Sequence, residues 1–286
     1  MDIEKAILYT LSYSDIFNYP LTLEQIWFYL IYQVPVSIGE VERVVKKSKK
    51  ISRNNELHCL KGREEIFAMR NSRKSNNKEK VQIAKYASKI LAFIPTITFI
   101  GISGAVAMGN AKEEDDIDFV ILVQKNSLWI TRLLCIALLD TLQLRRKRKI
   151  RKVANKICLN LFISSDYVFG NSMQNIYTAH EVVQIMPLLN RNNSYLSFLK
   201  NNNWTKKLLP NSFEREGNYV TNNKPVFKNL VPVLIMLEPI AKYLQLLIMK
   251  KHITSEVLTS NILAFHPYNY NQKIVNGYLR KIKKFS

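Results

Sequence analysis

Acidic side chains are scarce in this chain: 22 Asp and Glu stand against 42 Lys and Arg, a formal charge of +20 over 286 residues. That imbalance argues against a basic partner and favours nucleic acid, nucleotides or an anionic membrane surface. A lysine-rich compositional bias that also inflates Asn and Ile accounts for the same excess, and both readings stand at this point. Cysteine is nearly absent. Cys59, Cys135 and Cys158 are odd in number, far apart and set among apolar residues, with no C-x-x-C pair for zinc, so they read as buried small hydrophobes in a reducing compartment. The four histidines, His58, His180, His252 and His266, show no metal-ligand spacing. Long apolar runs are missing too. Leu128–Leu144 is interrupted by Arg132 and Asp140, and Leu230–Met249 by Pro232, Glu238, Pro239 and Lys242, so no stable membrane span is expected. The first residues, MDIEKAILYT, lack the basic and apolar regions of a secretion signal, and a soluble cytoplasmic protein is the expected class. No internal repeat or low-complexity tail is present.

What is there begins with a small unit over residues 1–70. Apolar residues at helical spacing run from Ile3 to Leu11, and Pro20 then breaks the chain. Thr22 with Gln25, and Ser37 with Glu40, carry capping-box spacing for two further helices. ISRNNELHCLKGRE reads as two strands around an Asn54-Asn55 turn. Three short helices and a hairpin resemble a winged helix; Lys46 and Lys47 would then lie on DNA, or form an ordinary solvated helix face. Tyr9, Tyr13, Phe17, Tyr19, Trp27, Phe28 and Tyr29 read as core of this unit. Residues 71–94 form a basic linking helix, loosened at Asn71–Asn77. Over 95–170 the pattern alternates: strand 97–102, short helix 104–109, strand 117–123, helix 128–143, strand 157–163, an α/β unit with a mixed sheet. Residues 171–286 read as helical, with helices expected at 226–251, 254–264 and 270–283.

The most informative stretch is Ile97–Val123, ITFIGISGAVAMGNAKEEDDIDFVILV. An apolar strand meets the turn Ser103-Gly104-Ala105, and Asp116-Ile117-Asp118 opens a second apolar strand. Residues i and i+2 of a strand share a face, so Asp116 and Asp118 present paired carboxylates while Ile117 faces the core. Like charges that close repel unless a cation lies between them, and oxygen-only ligands suit Mg²⁺ or Mn²⁺. The glycine turn offers backbone N–H groups to phosphate oxygens.

Glycine turn, spacing, Asp-hydrophobic-Asp and flanking strands together resemble the nucleotidyltransferase (DNA polymerase β-like) superfamily. The resemblance also extends to uncharacterised prokaryotic nucleotidyltransferase-domain proteins with an amino-terminal helical module. It implies an α/β (α+β) fold: a nucleotidyltransferase-like mixed-sheet core, a winged-helix-like module before it and a helical carboxy-terminal region. By the same resemblance Asp116 and Asp118 bind the metal, and Ser103, Gly104 and Ala105 hold phosphates of a nucleoside triphosphate. Asn160 in ICLNLFI takes the place of the family's third carboxylate. Ala105 replaces the usual Ser or Gly. Asp166 and Asp115 are the nearest other acids.

Arg132, one turn into the following helix, is a further candidate phosphate contact, against the plain reading of a surface arginine. The run Arg145, Arg146, Lys147, Arg148 to Lys152 is the densest positive charge and would hold a polyanion such as RNA, or serve as a solvated connector. Arg53 and His58 have the Arg-x4-His spacing of an RNase family whose motif needs a helix, so the turn at Asn54-Asn55 excludes it. The expected function is divalent-metal-dependent nucleotidyl transfer to a hydroxyl acceptor with pyrophosphate release. The alternative is a catalytically inactive, nucleotide-sensing DNA/RNA-binding regulator, and a third reading uses 230–249 at a membrane surface. The nucleotide, the acceptor and the oligomeric state are not encoded legibly.

Overall fold

Side-chain caps set the first helices. In the computed structural model, which describes residues 1–147, 153–213, 225–250, 256–265 and 268–285, Asp2 accepts from Lys5 N at 2.7 Å and starts α1 (Ile3–Asp15). A two-residue strand β1 (Leu21–Thr22) leads into α2 (Leu23–Phe28), and α3 (Ile38–Lys47) follows. Both expected capping boxes are formed, Thr22 with Gln25 and Ser37 with Glu40. Each satisfies two helix-end donors. The hairpin is present as β2 (Ile51–Asn54) and β3 (Leu57–Leu60), turning through Asn55 at φ 52°. The three strands form one antiparallel sheet in the order β1-β3-β2. Ala6, Ile7, Leu11, Ile26, Leu30 and Val41 close the core beneath it.

Next comes α4 (Ile66–Leu91), an unbroken helix of 26 residues. The expected loosening at Asn71–Asn77 does not occur, because the basic side chains around it are anchored on other elements. Arg70 bonds Pro20 O and Gln25, Arg73 bonds Asn110, and Lys80 is tied down further along. Tertiary contacts of this kind outweigh the low helix propensity of Asn.

The expected alternation follows: β4 (Ile97–Ile102), α5 (Gly104–Ala107), β5 (Ile117–Val123), α6 (Leu128–Thr141) and β6 (Ile157–Ser164). Then come α7 (Ile176–Val183), β7 (Met186–Asn190), α8 (Ser194–Asn201), α9 (Val231–Met236), α10 (Glu238–Met249), β8 (Val257–Leu258), β9 (Ile262–Ala264) and α11 (Tyr268–Ile282). The second sheet has the order β7-β4-β5-β6-β9-β8. β5 and β6 are parallel and the other neighbours antiparallel, so the sheet is mixed. The described fold is therefore α and β, with two sheets.

The carboxy-terminal region differs from expectation. It supplies β7, β8 and β9 to the same sheet as the central strands, so it is not purely helical. Of the helix expected at 254–264, residues 254 and 255 lie outside the described set and the rest forms β8, a turn and β9. Thr259 closes that turn, accepting from Asn261 N and Ile262 N at 3.2 and 3.1 Å, and Ile262–Ala264 then pairs with the edge of β6. The helix expected at 226–251 is two helices bent by 57°, as Pro239 in the first turn of α10 demands. His266 and Pro267 lie outside the described residues.

Both faces of β4 and β5 are covered, which is why they read as nearly continuous apolar runs. Ile117, Phe119, Ile121 and Val123 pack with α4 and α6 residues such as Ala87, Leu91 and Leu139. Val120 and Leu122 pack on the other side with Ala179 of α7, Phe198 of α8, Ile274 of α11 and the amino-terminal Tyr13. Of the aromatics expected in the amino-terminal core, Tyr19 is buried there, while Tyr13, Phe28 and Tyr29 are buried against the central sheet instead.

Lys80 is the main buried cation, only 1% exposed. Its Nζ donates to Glu113 O at 2.9 Å, Asp115 O at 2.6 Å and Asn155 Oδ1 at 2.9 Å. Burial lowers its pKa. Lys80→Met keeps the stem and strands these acceptors, so urea unfolding is expected to show a loss of about 2–4 kcal/mol. A variant as stable as the parent would contradict the anchoring role.

Candidate active site

Strand parity builds the centre of the site. Asp116 and Asp118 flank Ile117, which is fully buried on the opposite face. Asp118 continues the face of Val120 and Leu122, so the apolar surface ends in two carboxylates. Gly104 lies against them at φ +62°, and a Cβ there would come 3.3 Å from Asp118 Oδ2. The positive φ favours glycine, and a Cβ there would crowd the carboxylate. Ser103 N donates to Asp118 O at 2.9 Å, fixing the turn to the strand. Ser103, Gly104, Ala105, Asp115, Asp116 and Asp118 all line one cavity of about 330 Å³.

The neighbouring strand contributes Cys158 and Asn160. Cys158 pairs in register with Asp118, and the register of β6 against β5 then skips one residue at Asn160. This bulge keeps Asn160 beside the carboxylates, where its Nδ2 donates to Asp118 Oδ1 at 3.0 Å. An amide turned that way is a donor and not an acid. Arg146 Nη1 bonds Asp116 Oδ2 at 2.6 Å. The segment before β6 places it there: Arg146 N donates to Ile157 O at 2.8 Å.

The carboxylates are not equivalent. Burial, and then the charge of Asp116, push the Asp118 carboxyl up to about 7. Burial and the neighbouring Asp118 also raise the Cys158 thiol, which therefore stays protonated. Ligand atoms of Asp116, Asp118 and Cys158 lie within 4.8 Å of one another. The two carboxylates suit a hard divalent ion, whereas a protonated thiol does not. A raised carboxyl pKa beside a second carboxylate is the electrostatic condition that a bound cation relieves.

The opposite wall was not foreseen from the sequence. Tyr177, His180, Glu181 and Gln184 of α7, Tyr13 of α1, Tyr29, and Tyr270 of α11 line the same cavity. Burial and then Asp118 raise the Glu181 carboxyl to about 8, while Gln184 Nε2 donates to it at 2.7 Å. The His180 ring stacks on Tyr13 at 3.9 Å, and its buried Nε2 has no hydrogen-bond partner among the described residues. Burial holds its pKa down to about 3, so it is neutral at physiological pH. In the sequence, helical spacing on α7 was visible but nothing tied it to Asp118.

Other candidates lie elsewhere. Arg132 is outside the cavity lining: it bonds Gln245 of α10 and covers the Phe265 ring at 4.4 Å, so it serves packing. Asp166 bonds Ser164 and pairs with Lys125 at 3.7 Å beyond the end of β6, and it does not turn back. Arg145 forms a two-point pair with Asp140 at 2.9 and 2.8 Å. Lys147 is exposed, and Arg148 lies outside the described residues. Lys46 and Lys47 are exposed on α3, with Lys46 paired to Glu42. The first turn of α5 leaves its leading amides without intrahelical acceptors, but a four-residue helix carries little dipole.

Glu181 gives a test of the site's electrostatics. Between the unfolded carboxyl range near 4.5 and about 8, the unfolded chain has released the proton that the folded chain keeps. Stability from this group is therefore intact at low pH and declines as pH rises through that window. Glu181→Gln removes the decline, so its stability advantage over the parent is expected to grow from near zero at about pH 4 to a few kcal/mol above about pH 8. Urea titrations of both proteins across that range check it; a constant difference would contradict it.

Comparison with known proteins adds nothing to the geometry: no family model, curated protein or solved structure matches the chain.

Proposed function

We propose that the protein is a divalent-metal-dependent nucleotidyltransferase, which moves a nucleoside monophosphate from a nucleoside triphosphate to a hydroxyl acceptor and releases pyrophosphate. One observation carries this reading: two carboxylates on one strand face, abutting a glycine turn, open onto a cavity of about 330 Å³. Mg²⁺ or Mn²⁺ held by Asp116 and Asp118 would supply positive charge to the triphosphate oxygens. The Gly104 and Ala105 amides of the turn would face the phosphates, and Arg146 adds a cation beside Asp116. Glu181, across the cavity, replaces the acid that Asn160 lacks: its carboxylate accepts the acceptor's hydroxyl proton. The freed oxygen attacks the α-phosphorus in line, and the bond to the bridging oxygen breaks so that pyrophosphate carries away the electron pair. A carboxyl held at about 8 keeps its proton at neutral pH, so turnover through this base is expected to rise as pH approaches that value. The rings of Tyr13, Tyr29 and Tyr177 line the same cavity.

A second reading has its own support. Asn160 donates to Asp118 and Arg146 neutralises Asp116 at 2.6 Å, an arrangement that binds nucleotide without needing turnover. The protein would then be a nucleotide-sensing regulator that contacts DNA or RNA through Lys46 and Lys47 of its winged-helix-like amino-terminal module. Alternatively the polyanion would meet Arg145, Arg146 and Lys147, of which Arg145 is paired to Asp140 and Arg146 to Asp116.

Pyrophosphate release with Mg²⁺ or Mn²⁺ distinguishes the two. Asp116→Ala or Asp118→Ala is expected to lower turnover at least about 10³-fold, and Glu181→Gln about 10²–10⁴-fold. Nucleotide binding without pyrophosphate across a broad acceptor screen would remove the enzyme reading in favour of the regulator. Protonation of Asp118 at about 7 competes with the metal. Mn²⁺ affinity measured by calorimetry should therefore fall about tenfold per pH unit below that value, and flat affinity between pH 5 and 7 would exclude Asp118 as a ligand.

A further inference from the structure

Helices α9 and α10 leave their outer faces uncovered. Val233, Met236, Ile240, Tyr243, Leu247 and Ile248 recur at steps of mostly three and four residues and are all exposed, Met236 by 77% and Ile248 by 76%. Such spacing makes one stripe along the bent pair. Single exposed apolar residues need no explanation, but a continuous stripe of this length does. We infer that this stripe is an interfacial anchor that lies on the surface of an anionic lipid bilayer.

The inner face explains why the pair lies on a bilayer and does not cross it. Glu238 accepts from Trp129 N at 2.9 Å and Ile130 N at 2.8 Å, tying α10 to the start of α6. Gln245 Nε2 donates to Trp129 O at 2.7 Å, and its Oε1 accepts from Arg132. Insertion across the membrane would strip these groups of their partners in hydrocarbon. Among the described residues no single helix is long and apolar enough to span, and the pair is bent by 57°. Held flat against the protein, the stripe can enter the headgroup–acyl boundary by its outer side alone.

Charge selects the occupant. Lys228, Lys242 and Lys250 are exposed along the pair, and Glu238, the only acid from 226 to 250, is turned inward onto α6. A second copy would bring another chain of formal charge +20 to the same face. Nucleic acid matches the lysines but offers nothing to the apolar stripe. Anionic lipid satisfies both, with acyl chains for the stripe and headgroups for the lysines. The inference is independent of the nucleotidyl-transfer reading.

Flotation of the full chain with vesicles tests it, using about seven parts phosphatidylcholine to three of phosphatidylserine, against phosphatidylcholine alone, at about 0.15 M salt. The protein is expected to partition at least about tenfold more strongly to the anionic vesicles. The double variant Ile240→Glu, Ile248→Glu should weaken that partition by about tenfold or more, and the milder Met236→Gln should weaken it less. Tyr86→Glu, at an exposed position on α4, should leave it unchanged. Unchanged circular dichroism and thermal midpoints show that the variants fold. No partition to anionic vesicles, or partition indifferent to the double variant, overturns the inference. A dimer in solution that the double variant converts to monomer, without flotation of the parent, assigns the stripe to a second copy instead.

Discussion

A costly arrangement in this molecule is a carboxylate at the end of an apolar strand face with a second carboxylate two residues before it. Asp118 shares its side of β5 with Val120 and Leu122, and burial together with Asp116 makes its charge unfavourable. Three groups around it reduce that penalty in different ways. Asn160 donates to one oxygen, Arg146 balances the neighbouring charge, and Gly104 clears space on the other side. Hydrogen bonds and an opposite charge lower the penalty but do not remove it, which leaves a site with a standing affinity for positive charge.

The same constraint orders the supporting structure. Asp115 and Glu113 lend backbone oxygens to Lys80, so the acidic segment is held from the α4 side by a buried cation that touches carbonyls and not the carboxylates. That division keeps the side chains of Asp116 and Asp118 turned to the cavity. Across it, α7 is fixed by its apolar residues Ala179 and Val182 while Glu181 faces the opening. Asp115, Asp116 and Asp118 on one wall and Glu181 on the other come from elements remote in the chain, and tertiary packing brings them together.

Local signals in the sequence carried as far as their range allowed. Thr22–Gln25 and Ser37–Glu40 are contacts between neighbours, so spacing reveals them, and Asp116–Asp118 follows from strand parity in the same way. Glu181, His180 and Tyr13 reach the site from elements remote in the chain, and no local pattern links them. Lys80 was illegible for a different reason: lysine is almost always exposed, and only its three acceptors make burial tolerable. Residues 257–264 were misread because short apolar runs fit either period, and the open edge of β6 decided the outcome. Asn160 was located correctly on its strand, but the bulge that directs its amide is a property of pairing and not of composition.

Helix α4 reaches two distant regions at once. Near its start Arg70 bonds Pro20 O and Gln25 of the amino-terminal unit, and three turns later Lys80 grips the loop that carries Asp115. A single continuous helix is stiff along its axis, so these two attachments behave like the ends of a strut. Displacement of the amino-terminal unit is therefore transmitted to the acidic loop with little loss. Tyr13 and Tyr29 come from that unit and form part of the cavity wall, so the width of the opening is set by how the unit docks. Selectivity at such a mouth is a matter of gauge, fixed when the two parts of the chain come together.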